Sequence, residues 1–213
     1  MDSANPRTPG RSPNRREVQS VQTRALIVET AREQFAAGGY AATTIESIAT
    51  GAGVAIQTIY NSVGNKPALL SAVLDAAVSG PNAPTPVPEF LRDRAAGTGD
   101  FAGMVGMLAD WFAEAMPRSQ GIFAAIGQAA AVEPSVAALR DQRARQRLDH
   151  YLEAAAAIRQ RGGLGSGMSD DDAAAVIFTI GNPDTYASLV VTFGWPLERY
   201  RNWVFTALVG ALR

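Results

Sequence analysis

Apolar residues in the first third of the chain recur at the spacing of an α-helix. Between residues 18 and 37 they fall three, four or seven positions apart, which is typical of one buried helix face. These residues are Val21, Val28, Ala31 and Phe35. The pair Gly38 and Gly39 then ends the pattern, because glycine readily adopts the left-handed conformation that closes a helix.

Two shorter helical patterns follow, each bounded by glycine. Thr43 or Thr44 can cap the first, in which Ile45, Ile48 and Ala49 form one apolar side. The segment "TGAG" at 50–53 separates it from a second short helix over 54–63, and "GN" at 64–65 precedes a fourth helix over 66–78. A long helix, a short helix, a glycine turn and another short helix predict a helix-turn-helix in a compact bundle.

The pattern of the remaining two thirds of the chain also predicts helices. Four prolines within residues 79–89 indicate a linker or an irregular surface segment, and "AAGTGD" at 95–100 is a second break. Helices are predicted over 101–116, 121–132, 134–161, 173–191 and 196–212. Ser169 is expected to cap the fourth of these, with three aspartates in its first turn, and Pro183 to kink it.

The pattern therefore predicts an all-α protein of about nine helices. We expect a disordered basic tail over 1–16, a helix-turn-helix domain over 17–65 and a larger helical domain over 66–213. The tail is either without a role or a basic arm that lies along DNA.

Composition argues against an enzyme. The chain has no cysteine and one histidine, so a metal site would need carboxylates from distant segments. Asp170, Asp171 and Asp172 are contiguous and are explained by helix capping. The segment "GGLGSG" at 162–167 has neither a preceding strand nor a following lysine, as a phosphate loop requires. We expect no enzymatic activity, no metal and no cofactor.

Nothing in the sequence indicates a membrane or export signal. No basic start precedes an apolar run, and the longest apolar run, at 173–181, is far shorter than the ~20 residues that span a bilayer. We expect a cytoplasmic protein. Residues 1–66 carry a net charge of +2 and residues 67–213 a net charge of −3. This asymmetry is expected if the first third meets a polyanion.

The second short helix has the residues that a DNA-reading helix needs. Ala55, Ile59 and Val63 can hold its inner side against the bundle. Gln57 and Asn61 on the outer side can hydrogen-bond base edges. The alternative is that the apolar residues of the outer side pack elsewhere on this chain.

Other candidates for DNA contact surround these amides. Ile56 can contact a thymine methyl group. Thr44, Thr58 and Tyr60 can donate hydrogen bonds to phosphates. Lys66 places a positive charge at the start of the fourth helix, where it opposes the helix dipole and so suits a phosphate partner.

The larger domain has soft and aromatic side chains on alanine-rich helices. Such a bundle can enclose an apolar cavity, although plain core packing explains the same residues. The candidates for a ligand pocket are Met104, Met107, Trp111, Phe112, Phe123 and Phe178. His150 is expected to be exposed or part of the core. The segment "RDQRARQRLDHYLE" is expected to lie on an exposed face of mixed charge.

Residues 23–70 resemble the DNA-binding domain of the tetracycline-repressor (TetR) family. The matching features, in order, are Phe35, Gly39, "TT" at 43–44, "IA" at 48–49, "AGV" at 52–54, "TIY" at 58–60, "NK" at 65–66 and "LL" at 69–70. The sequence departs from the family pattern at Ala55, where a cap is common, and at Gln57, Ser62 and Val63.

The resemblance implies a ligand-released repressor that binds a pseudo-palindromic DNA operator as a homodimer. The second domain would bind an unidentified apolar small molecule, and the last two long helices would form the dimer. Interface candidates are Ile177, Tyr200, Trp203, Val204, Ala207 and Leu208. The C-terminal part resembles actinobacterial members, with a break before Pro183 and Asp184. The alternative function is a helical small-molecule binding or scaffold protein with a non-functional DNA-binding module.

Overall fold

The computed structural model describes residues 15–82 and 87–213, and these are helices joined by turns, in agreement with the predicted all-α class. Most of the predicted tail lies outside the described residues. The helices are α1 (Arg15–Ala42), α2 (Ile45–Ala52), α3 (Ile56–Ser62), α4 (Lys66–Ser79), α5 (Val87–Ala96), α6 (Phe101–Ala130), α7 (Pro134–Gln160), α8 (Asp170–Ile180), α9 (Pro183–Tyr186) and α10 (Leu197–Leu212). A 3-10 turn follows α4, and a π-helical segment, Ala187–Thr192, follows α9.

The first core holds the helix-turn-helix together. Apolar residues of α1, α2, α3 and α4 pack together in this core. Helix α3 contributes Ile59, which is fully buried. The second half of α6 and the start of α7 complete this core through Ile122, Ile126 and Val136. The helix-turn-helix is therefore packed directly onto the larger bundle, and the predicted boundary between 65 and 66 stays a prediction.

The second core lies between the first half of α6 and helices α7, α8 and α10. Phe112, Ile158, Ile177 and Leu208 are fully buried in it. Gly181, at the end of α8, lies so close to the Phe112 ring that a Cβ atom there would be 2.2 Å from it. This close approach accounts for the glycine just before the predicted kink at Pro183, and the helix does break there.

One helix replaces two of the predicted helices. Residues 101–116 and 121–132 were expected to be separate, but α6 runs through both and contains Pro117. Its first half packs in the second core and its second half in the first core, so contacts on both sides keep the helix continuous across one missing backbone donor. Within the described ranges, no helix has the length and apolar character needed to cross a membrane.

Candidate nucleic-acid interface and neighbouring cavities

The turn of the helix-turn-helix is built from local capping. Thr44 caps α2 in a reciprocal capping box with Ser47, and the two hydrogen bonds measure 3.0 and 3.2 Å. Gly53 ends α2 in the left-handed conformation (φ 64°, ψ 32°), which costs a residue with a side chain about 1 kcal/mol or more. Thr43 is buried and donates to the carbonyls of Gly39 and Gln34 instead of capping α2.

Helix α2 is held on α1 at close range. The Gln34 side-chain amide donates to the backbone carbonyl of Ser47 (3.0 Å), and the Ser47 hydroxyl donates back to the Gln34 side-chain oxygen (2.7 Å). A Cβ atom at Gly51 would lie 2.8 Å from Gln34 Nε2 and 2.9 Å from Thr30 Cγ2. The absence of a side chain at Gly51 therefore sets how closely the two helices approach.

Helix α3 presents the predicted row of residues to solvent. Ile59 is fully buried, whereas Ile56 and Tyr60 are 42% and 49% exposed. Gln57 and Asn61 are also exposed, and the Gln57 amide donates to the Asn61 side-chain oxygen at 3.0 Å. Val63 packs against the first core as expected, whereas Ala55 is exposed and Val54 packs there instead.

The first turn of α3 lacks a side-chain cap. Ala55 occupies the N-cap position, and only its backbone carbonyl accepts a bond, from the Thr58 amide (2.9 Å). Thr58 is half-buried, so its hydroxyl is less accessible than the other candidates for phosphate contact. Thr44 is exposed at the start of α2.

Arg24 and Lys66 lie beside α3, and each makes a contact within the chain that the sequence did not predict. Arg24 of α1 donates to the backbone carbonyl of Ser62, at the end of α3. The Lys66 ammonium lies 4.1 Å from the centre of the Tyr40 ring and donates to the Ala41 carbonyl at 3.4 Å. Lys66 therefore already has partners in the absence of DNA. Arg24 was missed because its contact joins residues 38 positions apart.

The six predicted pocket residues do not line one common cavity. A cavity of about 130 Å³, the inner cavity, lies between α4, α5, α6 and α7 and is lined by Trp111 and Phe123. An outer cavity of about 240 Å³ is lined by Phe123 and Phe178. Met104 and Met107 line a third space of about 80 Å³, which shares Tyr151 and His150 with the inner cavity. Phe112 lines none of the three, because its ring is packed against Gly181.

Two arginines of α7 point inward, against the expectation of an exposed charged face. Arg143 pairs with Asp75 of α4 at 2.7 Å and also donates to Ser71. Arg147 lines both the inner and the outer cavity and lies over the Phe178 and Phe123 rings, at 4.4 and 5.6 Å. Their four-residue spacing from each other and from the buried Tyr151 was the signal that sequence reasoning missed.

Most of the predicted dimer-interface residues are inside the chain's own core. Ile177, Tyr200, Val204 and Leu208 are fully buried there, so a second subunit cannot touch their side chains. Trp203 and Ala207 are only partly buried on the same helix. The apolar stripe of α10 therefore packs on α6 and α8, and only its flanks remain as candidates for a subunit contact.

These features define an all-α protein in which a helix-turn-helix domain is packed on a larger helical bundle. Residues 27–73 match the family model of the bacterial regulatory proteins of the TetR family. No curated protein matches the chain in sequence.

Solved structures of TetR-type regulators share the fold along most of the chain. The structure of NalD from Pseudomonas aeruginosa, the secondary repressor of the MexAB-OprM multidrug efflux pump, is 18% identical, with a TM-score of 0.68, over 91% of this chain and 98% of that one.

Two regulators called FadR have the same fold. The fatty acid degradation regulator FadR from Bacillus halodurans is 20% identical (TM-score 0.68, 90% and 96% covered). The transcriptional regulator FadR from Bacillus subtilis, in complex with stearoyl-CoA, is 16% identical (TM-score 0.69, 89% and 99% covered). The chain is therefore similar to the TetR family in its N-terminal segment and shares its fold along most of its length. The actinobacterial subtype stays a prediction.

Proposed function

We propose that this chain is a sequence-specific DNA-binding transcriptional regulator that acts as a homodimeric repressor and is released from its operator by a small ligand. The observation that carries the proposal is the outer row of α3. Ile56, Gln57, Tyr60 and Asn61 are exposed on a helix that is anchored by the fully buried Ile59. A recognition helix needs this division, with an apolar anchor inward and base-reading side chains outward.

Helix α4 supports a route from a bound ligand to the DNA. It begins four residues after α3 ends, and its residues Leu74, Asp75 and Val78 line the inner cavity. Its C-terminal end is held by Arg118 of α6, which donates to the carbonyls of Ala77 and Val78 at 3.1 and 3.2 Å. A ligand that prefers a shifted α4 would move α3 and change the distance between the two recognition helices of a dimer.

An apolar surface near the C-terminal helix supports the dimer. Val191 and Phe193 are 62% and 67% exposed, and Leu197 at the start of α10 is 42% exposed. Large apolar side chains left exposed close together in the chain, within 191–197, favour a subunit interface. Trp203, from the predicted interface set, packs edge-to-face on Trp195 beside this surface, at 6.4 Å between ring centres. The relatives that repress transcription or bind stearoyl-CoA on the same fold are consistent with the ligand-responsive repressor.

DNA binding can be tested by fluorescence anisotropy with duplexes from the region upstream of the chain's own gene. We expect one duplex to bind far more tightly than a scrambled duplex of equal length. We also expect the affinity to fall steeply between 50 and 200 mM salt, by a factor of about 10³ or more if six or more phosphates are contacted. Weak binding without sequence preference or salt dependence would instead favour the helical small-molecule binding protein.

A further inference from the structure

Arg147 lines both the inner and the outer cavity without an ion-pair partner among the described residues. In the described part of the chain, no carboxylate oxygen lies within 4.0 Å of its guanidinium group, and its Nε atom is buried without a hydrogen-bond partner. Its contacts are the faces of the Phe178 and Phe123 rings. Burial lowers the pKa of Arg147, partly offset by Tyr151 and Asp184. A partly buried cation whose Nε atom is buried without a partner is costly, so an arginine placed in this way points to an anion from outside the chain.

The neighbouring arginines Arg140 and Arg143 each have an aspartate as ion-pair partner. Arg143 is paired with Asp75, and Arg140 with Asp141 at 2.8 Å. The outer cavity is lined by Asp184 as well as by Arg147, but the two groups lie beyond ion-pair distance of each other. The inner cavity is lined by Arg143 and Arg147 and by one carboxylate, Asp75, which is already paired with Arg143. The charge left over in the inner cavity is a single positive one at Arg147, which matches a monoanion and disfavours a cation.

The inner cavity beside Arg147 is compact and mostly apolar, and its polar lining includes the Asp75–Arg143 pair, Gln146 and His150. Trp111, Met116, Val78 and Leu91 are among its lining residues. Its volume of about 130 Å³ is close to the ~150 Å³ of a cavity that holds benzene, so it suits one ring or a short branched chain. A guanidinium group offers two parallel N–H donors, which match the two oxygens of a carboxylate.

We infer that the ligand is a compact organic monocarboxylate, with its carboxylate on Arg147 and its apolar body in the inner cavity between Trp111 and α4. This inference rests on the proposed ligand-responsive function and specifies the chemical class of the ligand. The carboxylate supplies the counter-ion that Arg147 lacks, and the apolar body touches Leu74 and Val78 of α4. The same site thereby joins charge recognition to the helix that leads to the DNA-binding domain.

The experiment compares three probes of one shape with the full chain in the absence of DNA. They are 3-phenylpropionate, its neutral amide and the cation 3-phenylpropylamine, and binding is measured by isothermal titration calorimetry. We expect the acid to bind about tenfold more tightly than the amide, as for a hydrogen bond to a charged group in a buried site, and the amine to bind most weakly. Equal affinity of acid and amide, or no binding of the acid at millimolar concentration, would overturn the inference.

Variants of α7 separate recognition from packing. Arg147→Gln should abolish the preference for the acid over the amide, and Arg147→Lys should retain part of it. Arg145→Gln is the matched control, because Arg145 is exposed two residues away on the same helix, and it should bind the three probes as the native chain does. The ligand-free Arg147→Gln protein should melt at the native temperature or above it, because an unpaired buried charge has been removed.

If the Arg147→Gln protein still bound the acid more tightly than the amide, the assignment of Arg147 as the carboxylate partner would be overturned. Should Arg147→Gln fail to fold, Arg147→Lys and the three-probe comparison on the native chain still decide the inference. Anisotropy with DNA is a separate measurement. In the native chain, operator binding without any preference for the acid refutes only the ligand class, whereas acid binding without operator binding refutes the regulatory function.

Discussion

At the scale of single residues, α3 divides its side chains between the core and the solvent. The buried Ile59 fixes the helix against α1 and α2, and the exposed amides of Gln57 and Asn61 satisfy each other through a 3.0 Å hydrogen bond. When DNA binds, the two amides can exchange this hydrogen bond for hydrogen bonds to base edges, and no buried polar group is left unpaired. We therefore propose that the pair reads bases and that the hydroxyl of Tyr60 beside it contacts a phosphate.

Substitutions on α3 should separate base reading from phosphate contact. Gln57→Ala and Asn61→Ala should each alter the preference between operator variants by about 1–3 kcal/mol at the bases contacted. Tyr60→Ala should weaken binding to all duplexes alike. The measurement is anisotropy against a panel of single-base operator variants. Equal losses on cognate and scrambled DNA for all three variants would contradict the assigned roles.

Ala55 is a position where one hydroxyl group should stabilise the protein. Its backbone is already extended (φ −71°, ψ 146°), as an N-cap requires, but its side chain cannot accept a bond from the first turn of α3. Ala55→Ser should therefore raise the free energy of unfolding by about 0.5–1 kcal/mol, measured by urea denaturation. Ala138→Ser, at an exposed position within α7, should instead lower it slightly, because serine is a poorer helix former than alanine. A destabilised Ala55→Ser protein would show that α3 does not use this cap.

At the scale of elements, the approach of α2 to α1 depends on Gly51. Gly51→Ala should destabilise the protein, because the added Cβ atom would meet Gln34 and Thr30 below 3.0 Å. Gly121→Ala in α6 is the matched control, since that Cβ atom would meet nothing within 4 Å, and alanine should stabilise the helix by about 0.5–1 kcal/mol. Urea denaturation of both variants shows whether the free energy of unfolding falls for Gly51→Ala and rises for Gly121→Ala. A stabilised Gly51→Ala protein would mean that α1 and α2 can separate without cost.

Helix α6 shows how an element can depend on contacts that its own sequence does not contain. Pro117 and the polar residues after it predict an interruption, and an isolated helix would break there. The two halves pack in different cores, however, and Arg118 ties the middle of the helix to the end of α4. Tertiary packing on both sides thus outweighs one missing backbone hydrogen bond.

At the scale of the whole molecule, the exposed apolar surface near the start of α10 should govern self-association. Phe193→Ser should shift a dimer toward monomer and reduce operator affinity, because it removes the most exposed aromatic side chain of that surface. Val132→Ser is the control, since Val132 is 83% exposed at the turn between α6 and α7. Sedimentation velocity over a concentration series measures the effect. A Phe193→Ser protein that dimerises as the native chain does would place the interface elsewhere.

Buried tyrosines should make the fold sensitive to alkaline pH. Burial raises the pKa of Tyr151 to about 12, and it also raises the pKa values of Tyr40 and Tyr200. A tyrosine in the unfolded chain ionises near pH ~10, so this contribution to stability is complete below that pH and decreases as the pH rises toward the folded pKa. Denaturation with urea between pH 8 and 12 should show the decline, and Tyr151→Phe should reduce its slope. Stability that stays constant to pH 11 would contradict the prediction.

The sequence by itself determined the helices, the capped turn and the outer row of α3. These features depend on neighbouring residues, namely the spacing of apolar side chains, a threonine cap at 43 or 44 and the glycine break at 50–53. It also indicated the family through motifs within one short segment, residues 23–70. The sequence could not show which apolar residues contact a second subunit. Helix α10 has one apolar face, and that face could pack either in the chain's own core or against the other subunit of a dimer.

The tertiary structure decided what depends on residues far apart in the chain. It buried three of the predicted dimer residues of α10, Tyr200, Val204 and Leu208, in the second core. It made α6 continuous across Pro117 and placed the Lys66 ammonium over the Tyr40 ring. It also placed Arg147 between two cavities without a counter-ion, although the local pattern indicated an exposed charged face. Periodicity shows which residues share a helix face, but the neighbouring helices determine whether that face meets solvent, a cavity or the core.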